Sequence, residues 1–138
     1  MSPRITVEHG DSLREEVLEG LRVFNEGTAG SYRIHHVRLA IRADDGSLIA
    51  GLLGLCYWNI LHVDLLWVDP EHRRAGCGKA LLQRAEEIAL ERGCNVVYLL
   101  TYSFQAPVFY KKQGYEVFGT LENAPAEFST TWFAKHLA

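Results

Sequence analysis

The sequence predicts an α/β protein in which helices flank one mixed sheet. An apolar segment at 65–68 ends at Asp69 and Pro70, and a glycine loop and a helical pattern follow it. That helix leads into a second apolar segment at 95–101. Two strands joined by a helix lie parallel through a right-handed crossover. The alternating segments upstream, separated by turn residues, indicate antiparallel N-terminal strands.

Length and composition narrow the class of protein. The chain has 138 residues, which suit one domain, so we predict a single domain over 1–138. Apolar residues make up 48% and charged residues 22%, as in ordinary globular proteins. The net charge of −3 argues against a nucleic-acid partner and is compatible with an amine substrate.

The cysteines and the hydropathy pattern indicate a cytoplasmic protein. Cys56, Cys77 and Cys94 are odd in number and contain no Cys-x-x-Cys motif, so neither a disulfide framework nor a zinc site is predicted. No apolar run is long enough to span a membrane, and the N-terminus lacks the apolar segment of a signal peptide. We therefore expect no metal and no membrane attachment.

The elements before the glycine loop follow from local patterns. Alternation at 4–8 predicts a first strand. A helix from 12 to about 25 begins at Asp11 or Ser12, and Glu15 completes a capping box with Ser12. Its apolar stripe comprises Leu13, Val17, Leu18, Leu21 and Phe24. Residues 26–31 should break this helix.

Three antiparallel strands are expected next, and a second helical region after them. The strands cover 34–43, 48–57 and 61–68. The glycine-loop helix carries an apolar stripe of Leu81, Ala85, Ile88 and Ala89 and should end near Gly93. After the strand at 95–101, Ser103 should cap another helix, and Gly114 lies past its end. Strands at 115–119 and 127–133 complete the chain, and the sequence does not determine the pairing of the last.

The glycine loop is predicted to bind an anion, most suitably phosphate. The first turn of a helix presents unpaired N–H groups and partial positive charge. Gly76 and Gly78 permit close approach, and Arg73, Arg74 and Lys79 add positive charge. A Walker A loop is excluded because Arg73 and Ala80 occupy its required Gly and Ser/Thr positions. A dinucleotide fingerprint is excluded because Leu81 replaces its third glycine.

Two motifs resemble those of the GCN5-related N-acetyltransferase (GNAT) superfamily. Arg73-x-x-Gly76-x-Gly78 is similar to its pyrophosphate loop, Arg/Gln-x-x-Gly-x-Gly/Ala. The segment 103–115 is similar to its second signature, Asn-x-x-Ala-x-x-Leu-Tyr-x-x-x-Gly-Phe, through Ala106, Tyr110, Gly114 and Tyr115. Ser103 departs from the Asn of that signature. A glycine turn that merely caps a surface helix is the alternative for the first motif alone.

The resemblance implies the GNAT acyl-CoA N-acyltransferase fold and acetyl-CoA as cosubstrate. In that fold the strand at 66–68 separates from the strand at 96–101 through a bulge, and the pantetheine arm enters the gap. The residues implied to bind the cosubstrate are Leu66, Trp67, Val68, Arg73, Arg74, Ala75, Gly76, Cys77, Gly78, Lys79, Ser103 and Ala106.

The resemblance also implies catalytic residues. It places Tyr110 beside the cosubstrate sulfur as general acid; a packed aromatic is the alternative. His62 is the first candidate base and Asp64 the second, because strict alternation puts them on one strand face. Glu116 and water relays remain open. Cys77 lies at a helix N-terminus, which favours a lowered pKa, but oxidation sensitivity is a better interpretation than catalysis.

The predicted function is transfer of an acetyl group from acetyl-CoA to a primary amine, by direct attack in a ternary complex. Small molecules, peptides and protein lysines all remain open as acceptors, and the residues that could line their site include Tyr32, Arg33, Tyr57, Trp58 and the loop at 26–31. A homodimer formed through the tail after Asn123 is a further expectation. The alternatives are a non-catalytic acyl-CoA-binding sensor or assembly module, and a small interaction protein with a structural loop.

Overall fold

The computed structural model describes residues 2–137, which contain three α-helices, six strands and one 3₁₀ turn. The chain divides after Tyr32 into two compact units, which are described in turn. In chain order the elements are α1 (Ser12–Ala29), β1 (His35–Arg42), β2 (Leu48–Tyr57), β3 (Ile60–Val68), the 3₁₀ turn (Pro70–His72), α2 (Cys77–Glu91), β4 (Val96–Tyr102), α3 (Pro107–Lys112), β5 (Glu116–Leu121) and β6 (Thr130–His136).

The first unit is built on α1, and it differs from the prediction in three ways. Residues 4–8 form no strand; Ile5 is 89% exposed, because two apolar side chains bury too little surface to offset the entropy of ordering the backbone. Asp11 is the N-cap residue, but no side chain caps the helix and no capping box forms. The helix continues through the expected break to Ala29, and Arg22 forms ion pairs with Glu19 and Glu26 on its surface, which support the turn before that break.

The second unit is one six-stranded sheet in the order β1-β2-β3-β4-β6-β5. Only β3 and β4 are parallel, and every other neighbouring pair is antiparallel. This arrangement confirms the predicted mixed sheet with antiparallel N-terminal strands. The structure adds that β6 lies between β4 and β5, which the sequence left undetermined.

Helix α2 supplies most of the helical contribution to the core. Its buried side chains are Leu81, Leu82, Ala85 and Ala89, and they face β1, β2 and β3. Ala85 and Ala89 are fully buried, so the helix axis approaches the sheet closely. The predicted stripe is therefore right except that Leu82 is buried and Ile88 lies only partly in the core. This packing fixes the start of α2 at the end of β3.

The parallel pair separates after three residue pairs, as the resemblance implied. Ile60, Leu61 and His62 pair with β4, and no later residue of β3 does. On the other side of β3, Leu65 and Val63 face consecutive residues of β2, so Asp64 is the extra residue of a bulge. Gly54 permits this geometry, because a Cβ there would lie 2.9 Å from the His62 carbonyl oxygen. A gap therefore opens between β3 and β4.

A polar network fixes the end of α3 against α2 and β6. The Tyr115 hydroxyl donates to a Glu86 carboxylate oxygen at 2.8 Å, and Lys135 pairs with the other oxygen at 2.9 Å. Lys135 also lies over the Tyr115 ring, 5.6 Å from its centre. The Tyr115 N–H donates to the Tyr110 carbonyl at 3.0 Å, so the network also restrains the residue expected to act as acid.

We expect the protein to lose stability between pH 10 and pH 12. Burial raises the pKa of Tyr110 to about 12, and burial together with Glu86 raises the pKa of Tyr115. Unfolded tyrosines ionise near pH 10, so above that pH the unfolded chain binds fewer protons and unfolding becomes easier. Each such tyrosine lowers the free energy of unfolding by up to about 1.4 kcal/mol per pH unit in that window. Denaturant titrations at several pH values should show that the free energy of unfolding falls less steeply with pH in Tyr110→Phe than in the wild type. Equal slopes in the two proteins would contradict the raised pKa of Tyr110.

Candidate active site

A cavity of about 700 Å³ lies where β3 and β4 separate, large enough for a cofactor-sized ligand. Both strands, the glycine loop and α3 contribute to its wall. The lining residues are Leu66, Trp67, Val68, His72, Arg73, Arg74, Gly76, Cys77, Gly78, Lys79, Thr101, Phe104, Gln105, Ala106, Phe109 and Tyr110.

The glycine loop presents a row of free backbone donors. Asp69 ends β3, and its side chain accepts from the Glu71 N–H at 3.3 Å to start the 3₁₀ turn. The first α2 hydrogen bond runs from the Ala80 N–H to the Gly76 carbonyl at 2.9 Å. The N–H groups of residues 74–79 donate to no acceptor within 2–137. Together with the helix dipole, they form an anion site.

The cations beside the loop are available to a ligand. Arg73 Nε donates to the Val68 carbonyl at 3.3 Å, which holds its guanidinium at the end of β3. Neither Arg73, Arg74 nor Lys79 forms an ion pair with any carboxylate in the described part of the chain. An anionic ligand would therefore meet both backbone donors and full positive charge.

The two positions of the motif require glycine for different structural reasons. Gly76 has a φ of +83°, in the left-handed region, and a Cβ there would meet no atom within 4 Å. Gly78 has close neighbours instead: a Cβ would lie 3.3 Å from Phe109 Cζ and 3.6 Å from Val68 Cγ2. Gly78 thus lets α3 pack against the loop, whereas Gly76 shapes the turn and leaves its ligand side open.

Tyr110 lies on α3 with its ring buried and its hydroxyl free. The ring packs against Phe109, Tyr115 and Phe133 with centroids 5.1, 6.0 and 5.9 Å away. No hydrogen bond among the described residues uses its hydroxyl, and the residue lines the cavity. A tyrosine is protonated at neutral pH, and burial raises the pKa of Tyr110 further, to about 12. It is therefore a proton donor without a protein acceptor.

Two of the residues expected to bind the cosubstrate do not line the cavity: Ala75 and Ser103. The prediction that Ser103 caps the helix is wrong, because α3 begins at Pro107 with Ala106 as N-cap. The Ser103 hydroxyl instead accepts from the Ser129 N–H at 3.1 Å. Ser103 thus fastens the segment before β6.

Gln105 joins the end of β4 to the start of α3, a role that the sequence did not reveal. Its Oε1 accepts from the Thr101 hydroxyl and from the Tyr102 N–H, each at 3.1 Å. Both hydrogen bonds use the amide oxygen. The NH₂ group of Gln105 therefore remains available as a donor, and the residue lines the cavity. The other lining residues missed from sequence are His72, Thr101, Phe104 and Phe109. A polar side chain two positions beyond the expected cap was the available signal for Gln105.

The two candidate bases lie together in a second depression of about 420 Å³ on the sheet. His62 stacks on Tyr98 with centroids 4.5 Å apart, and the Tyr98 and Tyr57 hydroxyls are 3.1 Å apart. Asp64 is exposed at the bulge. The depression is lined by His36, Val37, Arg38, Leu53, Gly54, Leu55, His62 and Asp64. The expected shared face is therefore present, and the two bases and Tyr110 line different cavities.

The remaining candidates occupy scattered positions. Tyr57 and Trp58 lie at the β2–β3 turn, Glu116 begins β5 and is exposed, and Cys77 is the first residue of α2. Residues 2–137 contain no cluster of three metal-ligating side chains. None of their helices combines the length and apolar character needed to cross a bilayer.

The separated parallel strand pair beside the start of α2 agrees with the expected acyl-CoA transferase fold. Residues 33–117 match the family model described as an acetyltransferase (GNAT) domain. The chain therefore belongs to the GNAT family of acetyltransferases. This finding confirms the predicted family, fold and enzyme class.

Individual relatives agree with the family. Blasticidin-S acetyltransferase of Streptomyces morookaense is 42% identical over 93 residues, covering 67% of this chain and 68% of the relative. A crystal structure of an acetyltransferase from Bacillus cereus is 34% identical, with a TM-score of 0.85 over 96% of this chain and 98% of the other. A Bacillus anthracis protein assigned as a streptothricin acetyltransferase shares the fold at a TM-score of 0.67 and 20% identity, covering 75% and 63%; its structure contains acetyl coenzyme A.

Proposed function

We propose that this acetyltransferase transfers the acetyl group of acetyl-CoA to a primary amine by direct attack in a ternary complex. The observation that carries the proposal is the free, protonated Tyr110 hydroxyl in the same cavity as the anion-binding loop. The free N–H groups of 74–79 and the cations Arg73, Arg74 and Lys79 fit a pyrophosphate. The gap between β3 and β4 fits the extended pantetheine arm.

The backbone of β3 supplies electrophilic activation in this proposal. Beyond His62 it has no partner on β4, so N–H groups of the separated segment face the gap. Such a donor, placed at the thioester carbonyl, stabilises the negative charge that develops on the oxygen during attack. One donor of this kind typically lowers the activation free energy by about 3 kcal/mol.

Proton transfer completes the reaction. The amine nitrogen forms a bond to the thioester carbon, the C–S bond breaks, and Tyr110 gives its proton to the departing thiolate. The amine loses a proton to His62, directly or through water, with Asp64 as the alternative base. Support for His62 comes from its position at the last paired residue of β3, where the gap begins, and from the Tyr98 ring that holds its imidazole in place.

The relative suggests a first acceptor to test. Because the chain is 42% identical to blasticidin-S acetyltransferase, we propose blasticidin S as the first candidate amine. Other small amines, peptides and protein lysines belong to the same panel. A single domain over residues 1–138, cytoplasmic location and a homodimer stay predictions.

A calorimetric titration followed by an amine panel tests the proposed function. We expect micromolar binding of acetyl-CoA and CoA and no binding of ATP, since the pantetheine arm as well as the phosphates contributes. Thiol release should then depend on an added amine. Binding without amine-dependent thiol release would overturn the transfer proposal, and equal binding of ATP would overturn the role assigned to the gap.

A further inference from the structure

We propose that the acceptor is an amine that also carries an anionic group, and that Arg38 binds this group while the amine lies beside Asp64 and His62. The inference rests on the proposed function, because it names the class of amine that the second depression receives. It is carried by the arrangement of charge across three neighbouring strands.

The strand register places the charged residues at opposite sides of one shallow surface. On β1, Arg38 pairs with Leu53 of β2, and Leu53 pairs with β3 next to the bulge at Asp64. Arg38 and Asp64 are thus two strands apart, about 10 Å between backbones. Leu53 and Leu55 occupy the strand between them and form an apolar floor.

Neither charge is neutralised by the protein. Within residues 2–137, Arg38 and Asp64 take part in no ion pair and no side-chain hydrogen bond, although both line the same depression. By contrast, Arg22, Arg42 and Arg84 all bind acceptors in the protein. A guanidinium remains charged at any accessible pH and presents paired donors that match a carboxylate or a phosphate.

The direction of the acceptor follows from the position of the gap. The amine must reach the thioester in the gap between β3 and β4, and this gap begins beyond His62. Asp64 lies in the separated segment and attracts an ammonium, whereas Arg38 lies two strands away on β1. A bound zwitterion therefore points its amine toward β4 and its anion toward β1. An acceptor with a second cation would meet Arg38 unfavourably.

The test uses primary amines with one five-carbon chain and different far ends: 5-aminopentanoate, 5-aminopentylphosphonate, pentylamine and 1,5-diaminopentane. Amine-dependent thiol release at saturating acetyl-CoA gives kcat/KM for each. We expect the carboxylate or the phosphonate to exceed pentylamine at least 10-fold, and the two anionic arms decide which anion is preferred. In Arg38→Gln that ratio should fall below threefold.

The matched control is Arg42→Gln, which removes the same charge from the same strand outside the depression and should keep the wild-type ratio. Equal rates for charged and neutral chains, or a preference that persists in Arg38→Gln, would overturn the proposal. If none of these four amines releases thiol, the wider amine panel decides the transfer proposal separately. The same four amines are then titrated into the CoA complex of the wild type and of Arg38→Gln. Tighter binding of the anionic amines in the wild type alone supports the inference. Equal binding of all four amines, or a preference that persists in Arg38→Gln, overturns it.

Discussion

Replacing Tyr110 with phenylalanine is expected to lower kcat about 100-fold, the lower end of the range for loss of a general acid. The affinity for acetyl-CoA should change by less than about twofold, because the ring and its packing against Phe133 remain. Only the hydroxyl is removed, and no group among residues 2–137 depends on its hydrogen bond. Single-turnover thiol release measures the chemical step, and calorimetry measures the affinity.

Tyr115→Phe is the matched control for that variant. It removes the same hydroxyl five residues further along, but from a group that donates to Glu86 at 2.8 Å. We expect its stability to fall by about 1–2 kcal/mol, since the partly buried Glu86 carboxylate loses a donor, while kcat stays near the wild-type value. Unchanged turnover in Tyr110→Phe would remove the acid role and leave Tyr110 as a packed aromatic.

Placing tryptophan at Gly76 should weaken acetyl-CoA binding at least about 100-fold. Loss of two charge-assisted backbone hydrogen bonds costs about 3 kcal/mol, which corresponds to that factor. The indole would occupy the open side of the loop, where a Cβ meets no protein atom within 4 Å. Isothermal titration with acetyl-CoA measures the effect directly.

Gly93→Trp separates this effect from backbone strain. Gly93 has a φ of +82°, nearly that of Gly76, and its Cβ position is also free of neighbours, but it follows the other end of α2. Both variants should lose similar stability in denaturant titrations, because both force a side chain into the left-handed region. Only Gly76→Trp should lose affinity. Equal losses in both, or wild-type affinity in Gly76→Trp, would contradict the loop assignment.

The sequence was sufficient where one local pattern determines the geometry. Alternation predicted the bounds of β2 without error. The strand–loop–helix pattern predicted the parallel pair and the unpaired N–H groups at the start of α2. Motif spacing brought Tyr110 to the loop through the packing of Phe109 on Gly78, a contact that spacing alone does not show.

Local sequence patterns were insufficient where a polar side chain has two alternative partners or where an element is short. Ser103 was expected to cap α3, but α3 begins four residues later and the Ser103 hydroxyl instead accepts from the Ser129 N–H before β6. The apolar alternation at 4–8 is too short to stabilise a strand, and α1 continues to Ala29, past its expected end. The Ser103 outcome depends on Ser129, a residue 26 positions away that no local window contains.

The three residue pairs between β3 and β4 make the six-stranded sheet, in mechanical terms, two three-stranded halves joined by a short seam. Below that seam each half has an inner edge whose backbone groups lack a strand partner. An extended pantetheine arm between those edges would act as a replacement strand. We therefore expect completion of the sheet to contribute to the affinity for the cosubstrate, and thermal stability to rise with its concentration, as for any ligand of the folded state.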